Sequence, residues 1–430
     1  MRRRAASATM RRPGGPFRPE TWRSPLRGPW LTAALGSVLL SLVTVVAVTG
    51  FVSHAAYQPD LGRNAIVDPA RDLPLIFSWP SRPGYLYAVT QGLHVNVGLV
   101  AIPFLLAKLW SVIPRLFAWP PIASPAQAIE RLAIALLVSS AVFEFVTGVM
   151  NIQYWYVFGF NFVVAHYYGA IVFVASLVLH VVVKLPVIAR AYRERGVLRP
   201  LRQDLLRTRP EPADPHGGLA PVAPAAPTMS RRGFFTVVGA GSAALLAANV
   251  GETVGGPLRR LSILAPRRQV IGSGPNDFQV NKSAVAAGIE PAMTGSGYRL
   301  AVRAGDRDVS LSREQLLAMP QRTAPLPIAC VEGWTTTQHW TGVPLTALAR
   351  LVGAPLGATA FVRSLQRRGA LAQVTLNAAQ VADPDALLAL RVNGADLSPD
   401  HGFPARIIVP AAPGVHNTKW VESIQFGTPA

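Results

Sequence analysis

Pro327-Ile328-Ala329-Cys330-Val331-Glu332-Gly333-Trp334 holds the only cysteine of the 430-residue chain. A single cysteine closes no intramolecular disulfide and cannot gather a thiolate cluster around itself. On its own it reads as a small buried hydrophobe. Pro325 and Pro327 punctuate a strand before it, and Trp340-Thr341-Gly342-Val343-Pro344-Leu345 follows in a stretch of globular composition. The surroundings must decide between a packing residue and a ligand.

The chain carries a formal net charge of +19 and a positive mean hydropathy. A nucleic-acid partner is excluded by where the charge sits, beside apolar spans and not along one amphipathic face. Arginines crowd the basic segment 1–30 and return after Lys184. That is the bias of loops on the inner side of a membrane.

Between them the pattern predicts four spans, near 31–53, 91–113, 132–150 and 162–183, each apolar enough to cross a bilayer. Residues 31–184 are thus expected to form a four-helix, all-α transmembrane bundle with both ends inside. A cleavable signal at Ala55-Ala56 competes for the first span, but its apolar run exceeds a usual signal core, so an uncleaved helix is expected. The proline- and arginine-rich segment 185–229 reads as a flexible inner linker. Ser230-Arg231-Arg232-Gly233-Phe234-Phe235 then opens a fifth apolar helix, 230–250, which resembles a twin-arginine export signal. An outer linker, 251–274, leads to a soluble α+β domain, 275–430. Short alternating strands such as Arg406-Ile407-Ile408-Val409 and a helix over Leu345–Leu351 are expected there.

Intramembrane histidines are site candidates by default, because an unpartnered imidazole is costly in hydrocarbon. His94 opens the second span, and His166 and His180 lie in the fourth. The last two share a face about 21 Å apart along the axis. By topology His94 and His166 stand near the outer surface on different helices, where two imidazoles can clamp one haem b iron. The spacing resembles the four-helix cytochrome b subunits of formate dehydrogenase and related quinol-linked enzymes. That family has a second, inner haem ligated from the inner end of the first helix, where Arg27 to Thr32 offers no ligand. His54 and His180 are further candidates for haem iron, and whether one or two haems are held stays open. Glu144, inside the third span, is either a proton relay to a quinone or a structural hydrogen-bond partner.

Pro327 to Leu351, together with Val392-Asn393-Gly394, Asp400-His401-Gly402-Phe403-Pro404-Ala405-Arg406 and Asn417-Thr418-Lys419-Trp420, resembles the molybdopterin domain of the sulfite oxidase superfamily. The resemblance covers most of 275–427 and implies that Cys330 ligates molybdenum and is catalytic. It also implies that His401, Arg406, Asn417, Thr418 and Lys419, with Asn281, hold the molybdopterin. A soft thiolate suits a metal already bound by dithiolene sulfur. Arg406 offers phosphate a rigid fork and Lys419 a point charge. Sulfite oxidases place an arginine shortly after the cysteine, whereas here none occurs before Arg350. That departure is closer to the bacterial protein-methionine sulfoxide reductase branch and favours a neutral sulfoxide over a dianion. No dimerisation module of the immunoglobulin type is expected after residue 427.

The expected protein is a plasma-membrane, multi-pass oxidoreductase with its catalytic domain on the extracytoplasmic side. Haem b would exchange electrons with the quinone/quinol pool, and the substrate would be a small-molecule or protein sulfoxide. A sulfite-type oxidase passing electrons inward, a membrane-tethered binding scaffold and an electron carrier with a docking domain are the rivals.

Overall fold

The structure, a computed structural model, describes residues 13–62, 64–73, 77–120, 122, 124–213, 218–266, 272–369 and 371–427. The first arginines of the basic segment, Arg2 to Arg12, and parts of both expected linkers (214–217 and 267–271) lie outside them.

Among the described residues five helices are long and apolar enough to cross a membrane. They are α1 (Pro29–Ala55), α2 (Leu86–Leu116), α3 (Pro125–Ile152), α4 (Phe162–Arg195) and α5 (Arg231–Ala247), the last extended by the short α6 (Val250–Val254). The 27 residues of α1 give about 40 Å of helix, more than the roughly 30 Å hydrocarbon core. Val178, Leu179, Val182 and Val183 of α4 are exposed apolar side chains, as a lipid-facing helix requires.

The chain divides into two compact units. One comprises residues 1–45, 97–149 and 165–246; the other comprises 46–96, 150–164 and 247–430. In the first, Leu26, Trp30, Leu31, Leu35, Ala107 and Val238 form a buried cluster, with Phe234 and Phe235 packed against it. Within the segment 185–229, whose composition reads as a flexible linker, the described residues 185–213 and 218–229 include helical and hydrogen-bonded stretches. Helix α4 continues past Lys184 and Pro186 to Arg195. Its end is held because Tyr192 Oη donates to Ser37 Oγ at 2.9 Å and Trp30 Nε1 to Gly196 O at 2.8 Å. Further on, the buried Glu211 carboxylate accepts from Trp30 N at 3.1 Å. Tertiary hydrogen bonds order what local composition leaves loose.

The second unit contains two sheets of five strands each. β1 (Leu300–Ala304), β2 (Arg307–Leu311), β5 (Ala360–Ser364), β6 (Gln373–Leu376) and β10 (Val421–Phe426) run in the order β2-β1-β10-β5-β6, β1 and β10 being parallel. The other sheet has the order β3-β4-β7-β8, from β3 (Arg322–Ala329), β4 (Thr335–Pro344), β7 (Leu387–Val392) and β8 (Ala395–Asp396). β9 (Arg406–Ile408) pairs with β7. β1 alternates Leu300, Val302 and Ala304 inward with Ala301 and Arg303 outward. β7, paired on both edges, is buried at all but Arg391. Leu300, Val302, Leu345, Leu348, Val362, Leu388, Ile407 and Ile424 meet in one core. Each fully buried aliphatic side chain contributes roughly 1.5–3 kcal/mol. The expected Leu345–Leu351 helix is present.

Candidate active site

β3 and β4 form an antiparallel hairpin in which Ala329 pairs with Thr335, and Cys330 begins its turn. Cys330 N donates to Trp334 O and Gly333 N to Cys330 O, both at 3.0 Å. Gly333 has φ +95°, and a Cβ there would stand 2.9 Å from Val95 Cγ1, so the turn needs a glycine. Cys330 is buried. Burial pushes its thiol well above the usual range, and the adjacent Glu332 carboxylate adds to the rise by charge and hydrogen bond.

The turn is held by residues that lie outside the hairpin but within the same unit. Val331 O accepts from Gln91 Nε2 at 2.7 Å and from Asn151 Nδ2 at 3.3 Å. Gly333 O accepts from Thr253 Oγ1 at 2.8 Å, and Thr335 O from Arg259 Nη2 at 2.9 Å. Trp334 Nε1 donates to Tyr154 Oη at 2.9 Å. Beside Ala329 lie Tyr57 and Tyr87, whose hydroxyls are 3.3 Å apart, and the Tyr57 ring meets His416 edge-on at 5.7 Å. None of these was singled out from the sequence. For Gln91, Asn151 and Tyr154 the available signal was their type, uncharged polar groups near the ends of apolar helices; Arg259 and His416 carried no such signal.

The residues expected to hold the pterin converge. Cys330, Phe278 and Trp340 belong to one buried cluster. The His401 ring stacks on Phe278 with centroids 3.7 Å apart, and its Nε2 donates to Asn276 O at 2.9 Å. Arg406 lies over Trp340 at 5.2 Å and donates to His401 O at 3.1 Å and to Asn417 O at 3.0 Å. Lys419 Nζ donates to Asp400 O at 2.6 Å and to Lys282 O at 2.8 Å, which brings Asn281 beside it through the Lys282 N to Asn281 Oδ1 bond of 2.9 Å. Burial lowers the Arg406 guanidinium to about 9. Burial first, then the charges of Arg406 and Lys419, lower His401 to about 3.

Arg406 Nε, Asn417 Nδ2, Thr418 Oγ1 and His416 Nδ1 are buried and make no hydrogen bond within the protein. Buried polar groups are nearly always paired, so this row of unpaired atoms, with Arg406 Nε and Asn417 Nδ2 as donors, fits an anionic, polar cofactor. Among the described residues no group of three or more His, Cys, Asp and Glu could hold a metal ion by itself. Any metal at Cys330 must therefore take its other ligands from a cofactor.

The histidines divide between the two units. His94 Nδ1 is 2.9 Å from Val46 O, which only accepts, so Nδ1 carries hydrogen and a neutral ring keeps its lone pair on Nε2. Gly50 makes room for that ring: a Cβ there would be 2.8 Å from His94 Cε1. In the other unit, His166 Nδ1 lies 3.1 Å from Glu144 Oε2 and 3.2 Å from Thr147 Oγ1. Partners of this kind fix the ring of a metal-bound histidine. His54 differs, since its Nε2 is 3.1 Å from both Asp72 oxygens. His180 lies on α4, half-buried, in the same unit as His166.

A family model described as "Oxidoreductase molybdopterin binding domain" matches residues 287–429. Among curated relatives, the sulfite oxidase of Arabidopsis thaliana is 38% identical over 99 residues, covering 20% of this chain and 25% of its own. The NADH nitrate reductase of Volvox carteri is 29% identical over 168 residues, 32% of this chain and 19% of its own. YedZ1 of Azospira oryzae, named for a protein-methionine-sulfoxide reductase of which it would be a subunit, is 32% identical over 111 residues, 26% of this chain and 41% of its own. The chain thus spans less than half the length of each. The domain at residues 287–429, the part of the chain that carries Cys330, belongs to the molybdopterin oxidoreductase family.

Proposed function

We propose that this chain is a membrane-bound molybdenum oxidoreductase in which the helical part supplies electrons from quinol and the C-terminal domain reduces a sulfoxide or a related oxo-acceptor. The observation that carries the reading is the convergence of Cys330, His401 and Arg406 on one cluster beside a row of unpaired buried polar atoms.

Cys330 would be the protein's ligand to molybdenum. Arg406, His401, Asn417, Thr418 and Lys419, with Asn281, would hold the molybdopterin. When bound, that cofactor supplies oxygen-atom transfer coupled to two-electron redox change. The chain's own part is to seal the turn from water and to set its charge. The Glu332 carboxylate, close enough to raise the Cys330 thiol, opposes a dianionic substrate and favours a neutral one.

His94 and His166 would ligate one haem b in a four-helix bundle formed by α1 to α4, each ring fixed through Nδ1. His54, engaged by Asp72, and His180 are weaker candidates for a second haem. The unit holding residues 247–430 also holds the 46–96 and 150–164 segments, the loops that the arginine distribution puts outside. That grouping supports a catalytic domain on the extracytoplasmic face of the plasma membrane, delivered there by the twin-arginine-like helix α5. The partners would be the quinone pool, the surrounding lipid and a small-molecule or protein sulfoxide.

The similarity to sulfite oxidase favours a second reading, a sulfite-type oxidase passing electrons inward. One experiment separates the two. Dimethyl sulfoxide added to the reduced protein should reoxidise a b-type haem, and sulfite added to the oxidised protein should not reduce it. Metal analysis should find near-stoichiometric molybdenum that is lost in Cys330→Ala. Folded wild-type protein without molybdenum would refute both readings and leave a binding scaffold.

A further inference from the structure

The turn that carries Cys330 and the helix that carries His94 are tied by a short, partly buried hydrogen bond. Gln91 Nε2 donates to Val331 O at 2.7 Å, and Gln91 is 6% exposed. Val331 directly follows Cys330 in the chain. Gln91 precedes His94 by three residues on α2, so the two side chains leave the same helix face about one turn apart. A second strap runs in parallel: Asn96 Nδ2 donates to Thr253 Oγ1 at 2.8 Å, and Thr253 Oγ1 donates to Gly333 O at 2.8 Å. Asn151 also reaches Val331 O, at 3.3 Å, but it stands on α3, which carries no histidine.

We propose that Gln91 is a positioning residue that couples the two redox ligands: the path runs from Cys330 along the backbone to the Val331 carbonyl, across one hydrogen bond into the Gln91 side chain, and along about one turn of α2 to His94. The inference rests on the reading that Cys330 binds molybdenum and His94 binds haem iron. Two electrons that leave a quinol with its two protons cross this link one at a time. They are consumed when the oxygen atom of a sulfoxide leaves as water, giving quinone and sulfide. A buried amide is suited to the task because a hydrogen bond in a low-dielectric interior is strong and holds a single geometry.

The test uses the full-length protein carrying both cofactors. Gln91→Met keeps the side-chain length and removes the donor. Molybdenum content, the b-type spectrum and the haem midpoint potential should match wild type. The stopped-flow rate of haem reoxidation by dimethyl sulfoxide, or of haem reduction by sulfite if only sulfite exchanges electrons, should fall several-fold. Asn151→Leu, which removes the longer bond to the same carbonyl from a helix that carries no histidine, should slow the rate less than Gln91→Met does. If Gln91→Met loses molybdenum, Gln91→Asn, with the amide drawn back by a methylene, carries the same comparison. An unchanged rate in a fully loaded Gln91 variant overturns the proposal. So does equal slowing in Asn151→Leu, or molybdenum loss in both Gln91 variants, either of which would assign Gln91 to anchoring alone. A wild-type protein without the haem spectrum, or with a spectrum indifferent to His94→Ala, would instead refute the ligand reading and take the inference with it.

Discussion

The Arg406 guanidinium donates from Nη2 to the Asn417 carbonyl at 3.0 Å, tying β9 to the loop before β10. A second nitrogen of the same group reaches His401 O at 3.1 Å. Lysine cannot serve both carbonyls with one fork. Arg406→Lys should lower the stability of the C-terminal domain by about 1–3 kcal/mol, the penalty of a buried carbonyl left unsatisfied. It should also reduce the molybdopterin recovered from purified protein. Denaturant melts and fluorescence of the released pterin check the two effects, and a variant that keeps full pterin content would remove Arg406 from the cofactor site.

Gly50 offers a way to disturb His94 without touching it. A methyl group at this position would lie 2.8 Å from His94 Cε1, closer than the two carbons can approach, so the ring has to move. Gly50→Ala should therefore weaken or shift the b-type absorption spectrum expected of His94 ligation. Gly98→Ala, on α2 with open space around the new Cβ, is the control and should leave it unchanged. Equal spectra in the two variants would count against His94.

Acid should loosen the C-terminal domain. Burial lowers His416 to about 4, and burial with two neighbouring cations lowers His401 to about 3, against 6.5 for free imidazole. Below pH 6.5 the unfolded chain binds protons at both sites that the folded domain refuses, so stability falls as pH falls. The loss is about 1.4 kcal/mol per pH unit for each group, down to its folded value. Hydrogen exchange of the domain's amides between pH 7 and pH 5 should show this slope, and His416→Gln should flatten it. A stability that does not change with pH in the wild type would mean that the rings are not buried neutral.

Glu211 and Arg231 anchor the first unit. Glu211 accepts from Trp30 N and lies 3.9 Å from Arg231 Nη2, while Arg231, fully buried, also donates to Arg209 O at 3.0 Å. Removing one partner of a buried ion pair costs about 3–5 kcal/mol. Glu211→Ala and Arg231→Ala should each lower the melting temperature in detergent clearly, whereas Arg232→Ala, at the exposed second arginine, should not. Equal effects at 231 and 232 would mean that the burial of the first arginine carries no weight.

Much of this arrangement was legible from residues alone. Length and apolar content located all five helices, because a membrane span must satisfy its backbone internally and shows as a long uncharged run. The Leu345–Leu351 helix and the Arg406 strand followed from local periodicity in the same way. The hydrogen bonds of Gly196 and Glu211 in the segment after Lys184 were not legible. A proline-rich composition reports weak local preference, and the Glu211 and Gly196 contacts that override it come from Trp30, far away in sequence.

Sequence by itself determined which residue types were present for the chemistry: one thiol, a row of polar residues around Arg406 and Lys419, and a few histidines in apolar helices. Only the tertiary structure decided what holds them. The turn after Cys330 is fastened by Gln91, Asn151 and Thr253, drawn from three different helices. Such hydrogen bonds depend on where distant segments meet once the chain has folded, and no local pattern of residues encodes that meeting.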